Sequence, residues 1–488
     1  MWSTALLLVL TPLYVGFLGV ESYGLIGFYT SLIAILGILD TGISATAVRE
    51  IAWLAARPSE EAKIPILLRS LEIAYWGIVL TLGLFILGAA WFWGAGWFQA
   101  RDLPPAMVRE ALLLMAISLV VQVPAGLYNG GLIGLQRHVQ FSFLAAFFGT
   151  VRGAGAILVL WMIAPDIRFF FGWQIVVSAL QTWVIRTELW RKVSRGGGPP
   201  RFSRSVLQSV KGFAGWMTLI TALGVIMTQA DKMILSRVVS LEVFGFYMLA
   251  WTVASGLSRV STPLMQTFGP HFTELVSKGD EVVLAGQVRI ASQLMNTLIL
   301  PPVAVLFFFA EPVLAVWTGN SVLAAGSGPI LAIVVVGTAF SSCSYPALSI
   351  LYSRKLLRPV IVVNLLALVV LLPLLFVAVA YFGVRGAAFC WMLYGLLLYV
   401  VYQVVGLRGL PGTGFLQSVL QDFVLPCLVS FTIAGVTHFW LSEVKGRAVF
   451  IALLGLCLIA GWVVSLMVCR DLLKNVLEKM KWHSRKSR

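Results

Sequence analysis

Apolar runs long enough to cross a lipid bilayer recur from one end of the chain to the other. A membrane-spanning helix needs roughly 17–25 such residues. Only 11% of the 488 residues are charged, whereas about a quarter are charged in soluble proteins. We therefore predict an all-α integral membrane protein with about 14 transmembrane helices. The runs are 2–18, 24–48, 67–93, 109–135, 140–163, 170–189, 211–236, 243–268, 286–310, 326–352, 358–381, 386–406, 418–440 and 446–469.

Basic residues are distributed unequally between the two sides of the predicted bundle. An even number of spans puts both termini on one side, and most of the 35 Lys and Arg residues fall there, including the segment 191–204 and the tail 470–488. Because cytoplasmic loops carry the excess of Lys and Arg, we predict that both termini are cytoplasmic. The basic residues of the opposite side are Arg101, Arg109, Arg168, Arg237, Arg385, Lys445 and Arg447.

A short motif, Glu-x-aromatic-Gly, occurs twice, at 21–24 and at 242–245. Each copy joins an odd span to the next even span on the outer side, which indicates a parallel repeat around an axis along the membrane normal. The alternative is a chance likeness of two short loops. The repeat predicts two six-helix lobes related by a pseudo-twofold axis, plus two extra C-terminal helices. The predicted divisions are a first lobe 1–190, a cytoplasmic linker 191–210, a second lobe 211–406, two extra spans 407–469 and a basic tail 470–488.

Three basic residues inside predicted spans are assigned to neither side of the membrane: Arg152, Lys232 and Arg259. A charge at the centre of the bilayer costs roughly 2.5–3.5 kcal/mol, so these side chains should face protein or water. We predict that they line a substrate-binding cleft between the two lobes, where such transporters bind their substrates. The polar candidates for the same cavity are Gln122, Asn129, Gln229 and Gln266. The alternative for the uncharged residues is that they only join helices.

Two carboxylates, Asp40 and Asp231, are candidates for ion coupling because they also lie in spans. The alternative for Asp40 is a pair with Arg49 or with another Arg near the inner face. Asp231 and Lys232 lie near the outer end of their span, where long side chains can extend to the interface. Adjacent residues point about 100° apart on a helix, so we expect Asp231 and Lys232 to face different neighbours.

Several kinds of chemistry have no signature in this chain. It has no GxxxxGK[ST] phosphate loop, no HExxH metal motif and no GxSxG nucleophile motif. The five cysteines form no CxxC pair. We therefore predict a transporter and not an enzyme, with no cofactor and no metal. The net charge of +15 comes from basic residues between apolar runs, so we expect membrane lipids as partners and no nucleic acid.

The motifs resemble those of a known family. Residues 18–54, LGVESYGLIGFYTSLIAILGILDTGISATAVREIAWL, resemble the start of the polysaccharide-biosynthesis flippases, which include O-antigen flippases. That family belongs to the multidrug/oligosaccharidyl-lipid/polysaccharide exporter superfamily. The segments LYNGGLIGLQR (127–137), QADKMILSRVVSLEVFGFY (229–247) and FGVRGAA (382–388) also resemble family motifs. The first span, 2–18, lacks a basic segment typical of a cleaved signal and is short for the family, which suggests a start farther upstream.

The resemblance implies a flippase in the bacterial inner membrane that works by alternating access. It would carry a polyprenyl-diphosphate-linked oligosaccharide, the repeat unit of an O-antigen, capsule or exopolysaccharide, from the inner to the outer leaflet. A polysaccharide polymerase and a chain-length regulator are candidate partners. The alternatives are a multidrug or cation antiporter of the same fold, a lipid II flippase, and a non-transporting scaffold of a polysaccharide-assembly complex.

Overall fold

The computed structural model describes residues 2–57, 59–193, 200–412, 419–441 and 447–469, so the predicted basic tail 470–488 lies outside the described residues. The described chain is almost entirely helical. It also contains a 3-10 turn, Glu61–Lys63, and a π-helical turn, Val419–Val424. The helices are α1 (Trp2–Ala55), α2 (Ile64–Trp97), α3 (Pro105–Gln122), α4 (Ala125–Gly134), α5 (His138–Met162), α6 (Ile167–Val193), α7 (Arg204–Val238), α8 (Leu241–Lys278), α9 (Glu281–Phe308), α10 (Ala310–Thr318), α11 (Ser321–Cys343), α12 (Tyr345–Ser353), α13 (Leu357–Gly406), α14 (Leu425–Leu441) and α15 (Arg447–Val468).

The helices account for each predicted span. Within the described residues, 10 helical stretches are long and apolar enough to cross a membrane. Two of them, in α1 and α13, each contain two predicted spans. The sixth and seventh predicted spans correspond to α6 and α7, which are long enough but carry more polar side chains. The predicted fold class, an all-helical protein with many membrane spans, is confirmed.

Glycines interrupt the two long helices between their paired spans. Gly19 has φ 77° and ψ 174° inside α1, and Gly383 has φ 56° and ψ −135° inside α13. Positive φ costs little at glycine because there is no Cβ to clash with the backbone. Each break falls between two predicted spans, so the chain can redirect its helix there without a longer loop.

The described chain forms two compact units. The first unit is Trp2–Met248, and the second unit begins at Leu249, inside α8. In the first unit α7 packs closely on α1: a Cβ on Gly42 would lie 2.7 Å from the carbonyl oxygen of Ala214. The lobe boundaries predicted from the sequence, which place α7 in the second lobe, stay a prediction.

The two copies of the repeated motif contact each other within the first unit. A Cβ on Gly24 would lie 2.9 Å from the carbonyl oxygen of Leu241, and a Cβ on Gly245 would lie 2.5 Å from that of Val20. The two contacts are reciprocal, because Val20 and Leu241 occupy the same place in the two copies, as do the two glycines. Isologous contacts of this kind are what a twofold relation produces. The glycines are therefore needed for backbone to meet backbone.

The acidic residue of the first motif has a structural role. Glu21 is 4% exposed, and its carboxylate accepts hydrogen bonds from the backbone amides of Arg101, Asp102 and Leu103 at 2.8, 3.0 and 3.0 Å. These amides belong to the segment between α2 and α3. Glu21 thus ties the start of the second predicted span to the loop that follows the third.

In the second unit, the two extra C-terminal helices pack on α9. Phe309, Ala434 and Cys457 belong to one apolar cluster shared by these helices. Buried Asp422, in the π-helical turn, accepts a hydrogen bond from Gln293 at 2.8 Å and lies 3.3 Å from Arg289. The extra helices are therefore attached to α9 by both apolar and polar contacts.

Candidate functional site

A polar cavity of about 350 Å³ lies within the first unit. It is formed by α1, α3, α4, α5 and α6, and small or apolar residues make up the rest of its wall. This volume is in the range typical of ligand sites. The polar side chains that line the cavity are Asp40, Gln122, Asn129, Arg152 and Gln181. Four of them were predicted from the sequence, and the structure brings these four together.

Arg152 is held in the cavity by neutral partners. Its Nη2 donates to Oε1 of Gln181 at 2.6 Å and to Oγ of Ser178 at 3.4 Å. Within the described residues no carboxylate forms an ion pair with Arg152. A guanidinium carries five N–H donors in a rigid fork, so the side chain keeps both its charge and further donors for a ligand. A phosphate group matches that fork with two parallel hydrogen bonds.

Asp40 lies on α1 in the same cavity. The hydroxyl of Tyr75 donates to its Oδ1 at 3.0 Å. The carboxylate lies against the backbone of α4, because a Cβ on Gly126 would be only 1.7 Å from Oδ1. No Lys or Arg of the described chain forms an ion pair with Asp40, while Arg49 contacts Glu50 at 2.8 Å. Within the described residues Asp40 therefore forms no ion pair with Arg49.

Two amides complete the polar wall. Oε1 of Gln122 accepts a hydrogen bond from the Tyr29 hydroxyl at 2.9 Å, and that hydroxyl also contacts Ser118. Asn129 is half-buried on α4 and lines the cavity. Amide groups both donate and accept hydrogen bonds. The cavity wall therefore presents both hydrogen-bond donors and acceptors beside the guanidinium of Arg152.

Three glycines of α4 bring this helix close to α1. Cβ atoms on Gly126, Gly130 and Gly134 would meet Asp40, Ser44 and Ile51. Small residues at four-residue spacing are typical of closely packed helices, and these glycines pack in that way. Gly149 on α5 differs, because a Cβ there would have no neighbour within 4 Å, and it lines the cavity.

Lys232 and Asp231 are placed away from this cavity. Lys232 is 1% exposed, and its Nζ lies 3.0 Å from Oδ1 of Asp231 and 2.7 Å from the carbonyl oxygen of Thr228. The Tyr247 hydroxyl also donates to Asp231. Asp231 and Lys232 thus have different neighbours, Tyr247 and the Thr228 carbonyl, but they also pair with each other, because the long lysine side chain bends back to the carboxylate.

The other predicted residues also lie outside this cavity. Gln229 is half-buried on α7, where its amide is 3.5 Å from Oγ1 of Thr228. Arg259 and Gln266 are exposed on α8 in the second unit. Their assignment to a substrate site stays a prediction.

Sequence reasoning missed Gln181, Ser178, Tyr29 and Tyr75, which support or line the cavity. Gln181 and Ser178 are three residues apart in the sixth predicted span, so their shared face was a usable signal. Tyr29 and Tyr75 count as apolar in a hydropathy pattern. Their hydroxyls become informative only when the contacting helix is known.

The sequence also matches a known family. The family model described as "Polysaccharide biosynthesis protein" matches residues 15–327. The chain belongs to this family. A similar protein, a candidate O-antigen transporter of Shigella flexneri, is 22% identical over 384 residues, which are 77% of this chain and 87% of that protein. The predicted family is confirmed.

Solved structures show the same fold as this polysaccharide biosynthesis family member. The lipid II flippase MurJ in an inward closed conformation aligns with a TM-score of 0.74 at 14% identity, over 96% of this chain and 98% of that one. An inward-facing multidrug resistance transporter of the MATE family, within the MOP superfamily, aligns with a TM-score of 0.65 at 14% identity, over 83% and 93%. These likenesses concern the fold, and they agree with its assignment as a multi-pass membrane protein.

Proposed function

We propose that this protein is a flippase that moves a polyprenyl-diphosphate-linked oligosaccharide from the inner to the outer leaflet of the bacterial inner membrane by alternating access. The observation that carries the proposal is Arg152, a guanidinium without a carboxylate partner among the described residues, in a polar cavity inside a helical membrane unit. The family membership and the O-antigen relative support the substrate class. A polysaccharide polymerase and a chain-length regulator would then act on the delivered unit.

The cavity chemistry suits the head group of such a lipid. The diphosphate would bind at Arg152, because arginine is well matched to phosphate geometry and stays charged at all relevant pH values. Sugar hydroxyls would bind at Gln122, Asn129 and Gln181. The apolar tail would stay in the bilayer, so no free energy is needed to transfer it out of the lipid.

Asp40 is the proposed coupling residue. A carboxylate at membrane depth is costly and generally marks a function or an ion pair, and the hydrogen bond of Asp40 in the described chain comes from neutral Tyr75. A proton or a sodium ion bound at Asp40 would neutralise it. In this arrangement the ion and the diphosphate would influence each other through the charge of the shared cavity.

The test is transport of a lipid-linked oligosaccharide by the full chain in vesicles. We expect Arg152→Ala to lower the initial rate by at least about tenfold, because hydrogen bonds to charged groups contribute about 1.5–3 kcal/mol. Arg152→Lys should recover part of the rate, since it keeps the charge but loses the fork. Arg358→Ala removes an exposed charge at the start of α13 and is the control. Wild-type transport by correctly folded Arg152→Ala would contradict the proposal.

The second candidate is a multidrug or cation antiporter, and Asp40 favours it. A cationic drug would be attracted by a cavity carboxylate without an ion-pair partner in the described chain. Arg152 in the same cavity opposes a cationic ligand. Depletion of the protein in cells discriminates the two: a flippase defect leaves a lipid-linked glycan on the cytoplasmic face, while loss of an antiporter raises drug sensitivity with normal glycan turnover.

A further inference from the structure

A second cluster of charged side chains lies in the first unit, outside the cavity. Glu72 of α2 is 3% exposed. Its Oε1 accepts from Nε of Arg186 at 2.6 Å and from the Tyr128 hydroxyl at 2.7 Å, and its Oε2 accepts from Nη1 of Arg69 at 2.8 Å. One carboxylate therefore brings two guanidinium groups from α2 and α6 together.

The two arginines remain accessible. The side chain of Arg69 is 41% exposed and that of Arg186 is 42% exposed. Each contacts the carboxylate through one nitrogen, and a guanidinium has further N–H donors in the same plane. Two positive charges face one negative charge, so the cluster has a net positive charge. Its geometry suits an anion with several oxygen atoms, such as a phosphate.

Apolar side chains are exposed one turn away from each arginine. Ile73, four residues after Arg69 on α2, is 44% exposed, and Trp183, three residues before Arg186 on α6, is 62% exposed. Residues three or four apart lie on the same helix face. In the predicted orientation these apolar positions lie deeper in the membrane than the arginines. The surface therefore combines a cationic end with an apolar wall, as an amphiphile requires.

We propose that Arg69 and Arg186 bind the phosphate of an anionic phospholipid of the inner leaflet, with acyl chains along Ile73 and Trp183. Basic pockets between transmembrane helices on the cytoplasmic side are typical sites for such head groups. The buried carboxylate of Glu72 positions the two guanidinium groups. This site goes beyond the proposed function, because the bound lipid is a resident of the membrane and its site shares no lining residue with the cavity.

The test is a titration of the purified full chain with phosphatidylglycerol in neutral detergent. The measured quantity is the midpoint of thermal unfolding at each lipid concentration. We expect a rise in the midpoint for the wild type. Arg69→Gln and Arg186→Gln should each weaken the apparent affinity about fivefold, the effect of removing one cation near a lipid surface. In either variant Glu72 still pairs with the remaining arginine, so each variant tests one guanidinium by itself.

Arg191→Gln is the matched control. Arg191 lies on the same helix as Arg186, is 70% exposed and pairs with Glu188, so its loss should leave the affinity unchanged. Phosphatidylcholine and inorganic phosphate should produce no rise. Wild-type affinity in both test variants, or equal weakening by Arg191→Gln, would overturn the proposal. A rise with inorganic phosphate alone would show a free-anion site and overturn the lipid assignment.

Discussion

Arg152 and Asp40 line one cavity with opposite charges, yet neither forms an ion pair in the described chain. Neutral partners hold each of them: Gln181 and Ser178 for the guanidinium, Tyr75 for the carboxylate. A charged group without an ion-pair partner can still attract an incoming ligand or ion of opposite charge. Under the proposed function, such a cavity would respond to both an anion and a cation.

The contact between Gly126 and Asp40 leads to a prediction for Gly126→Ala. The new Cβ would lie 1.7 Å from the carboxylate oxygen, so α1 and α4 must separate or Asp40 must move. Overpacking of this kind typically costs about 1–3 kcal/mol. We expect a lower thermal unfolding midpoint and impaired transport.

Gly149→Ala is the control for this substitution, because it adds the same methyl group where no atom lies within 4 Å. It should preserve or slightly raise stability, since alanine favours a helix more than glycine does. Equal midpoints for the two variants would show that the contact of Gly126 with Asp40 is not restrictive.

The residues of the cavity were partly predictable. Arg152, Asp40, Gln122 and Asn129 stand out because polar groups are costly in an apolar span. The partners of these residues come from distant spans, and spacing along one helix does not specify which helices meet. The Glu72 cluster was missed because its arginines lie near span ends, where a basic residue is expected at the interface.

At the scale of elements, we expect a substitution of Glu21 to loosen the loop between α2 and α3. Glu21→Gln removes the negative charge of a carboxylate that accepts hydrogen bonds from three backbone amides. Hydrogen bonds to charged groups contribute about 1.5–3 kcal/mol, so we expect a loss of about 2 kcal/mol in stability. Faster hydrogen exchange at residues 101–103 would be the direct measurement.

Glu110→Gln is the comparison for Glu21→Gln. Glu110 is 48% exposed and contacts Arg168, and exposed pairs contribute at most about 1 kcal/mol. Its loss should leave hydrogen exchange at residues 101–103 unchanged. Unchanged exchange in Glu21→Gln as well would mean that the carboxylate does not hold the loop.

The helices were predicted well because apolar length is a strong signal. The joints were harder: Gly19 and Gly383 separate paired spans with a single residue outside the helical region, and hydropathy does not show how short a joint can be. Close packing of α7 on α1 was also not visible in the sequence, because Gly42 is one of 45 glycines.

At the scale of the whole molecule, the proposed export of a diphosphate has an electrical driving force. Moving one charge through 100 mV is worth about 2.3 kcal/mol, so two negative charges moving outward gain about 4.6 kcal/mol per 100 mV. We expect transport in vesicles to slow when the membrane potential is collapsed and the pH gradient is kept. Undiminished transport under those conditions would assign the coupling to an ion gradient, with Asp40 as the first residue to substitute.

The reciprocal contact of the two motif copies also bears on how the chain is made. Gly24 is covered by Leu241 and Gly245, which leave the ribosome long after the second span. Domains generally fold as units during synthesis, from the N-terminal end. The first six spans therefore enter the membrane with this surface still open, and the first unit closes only when translation has passed Met248.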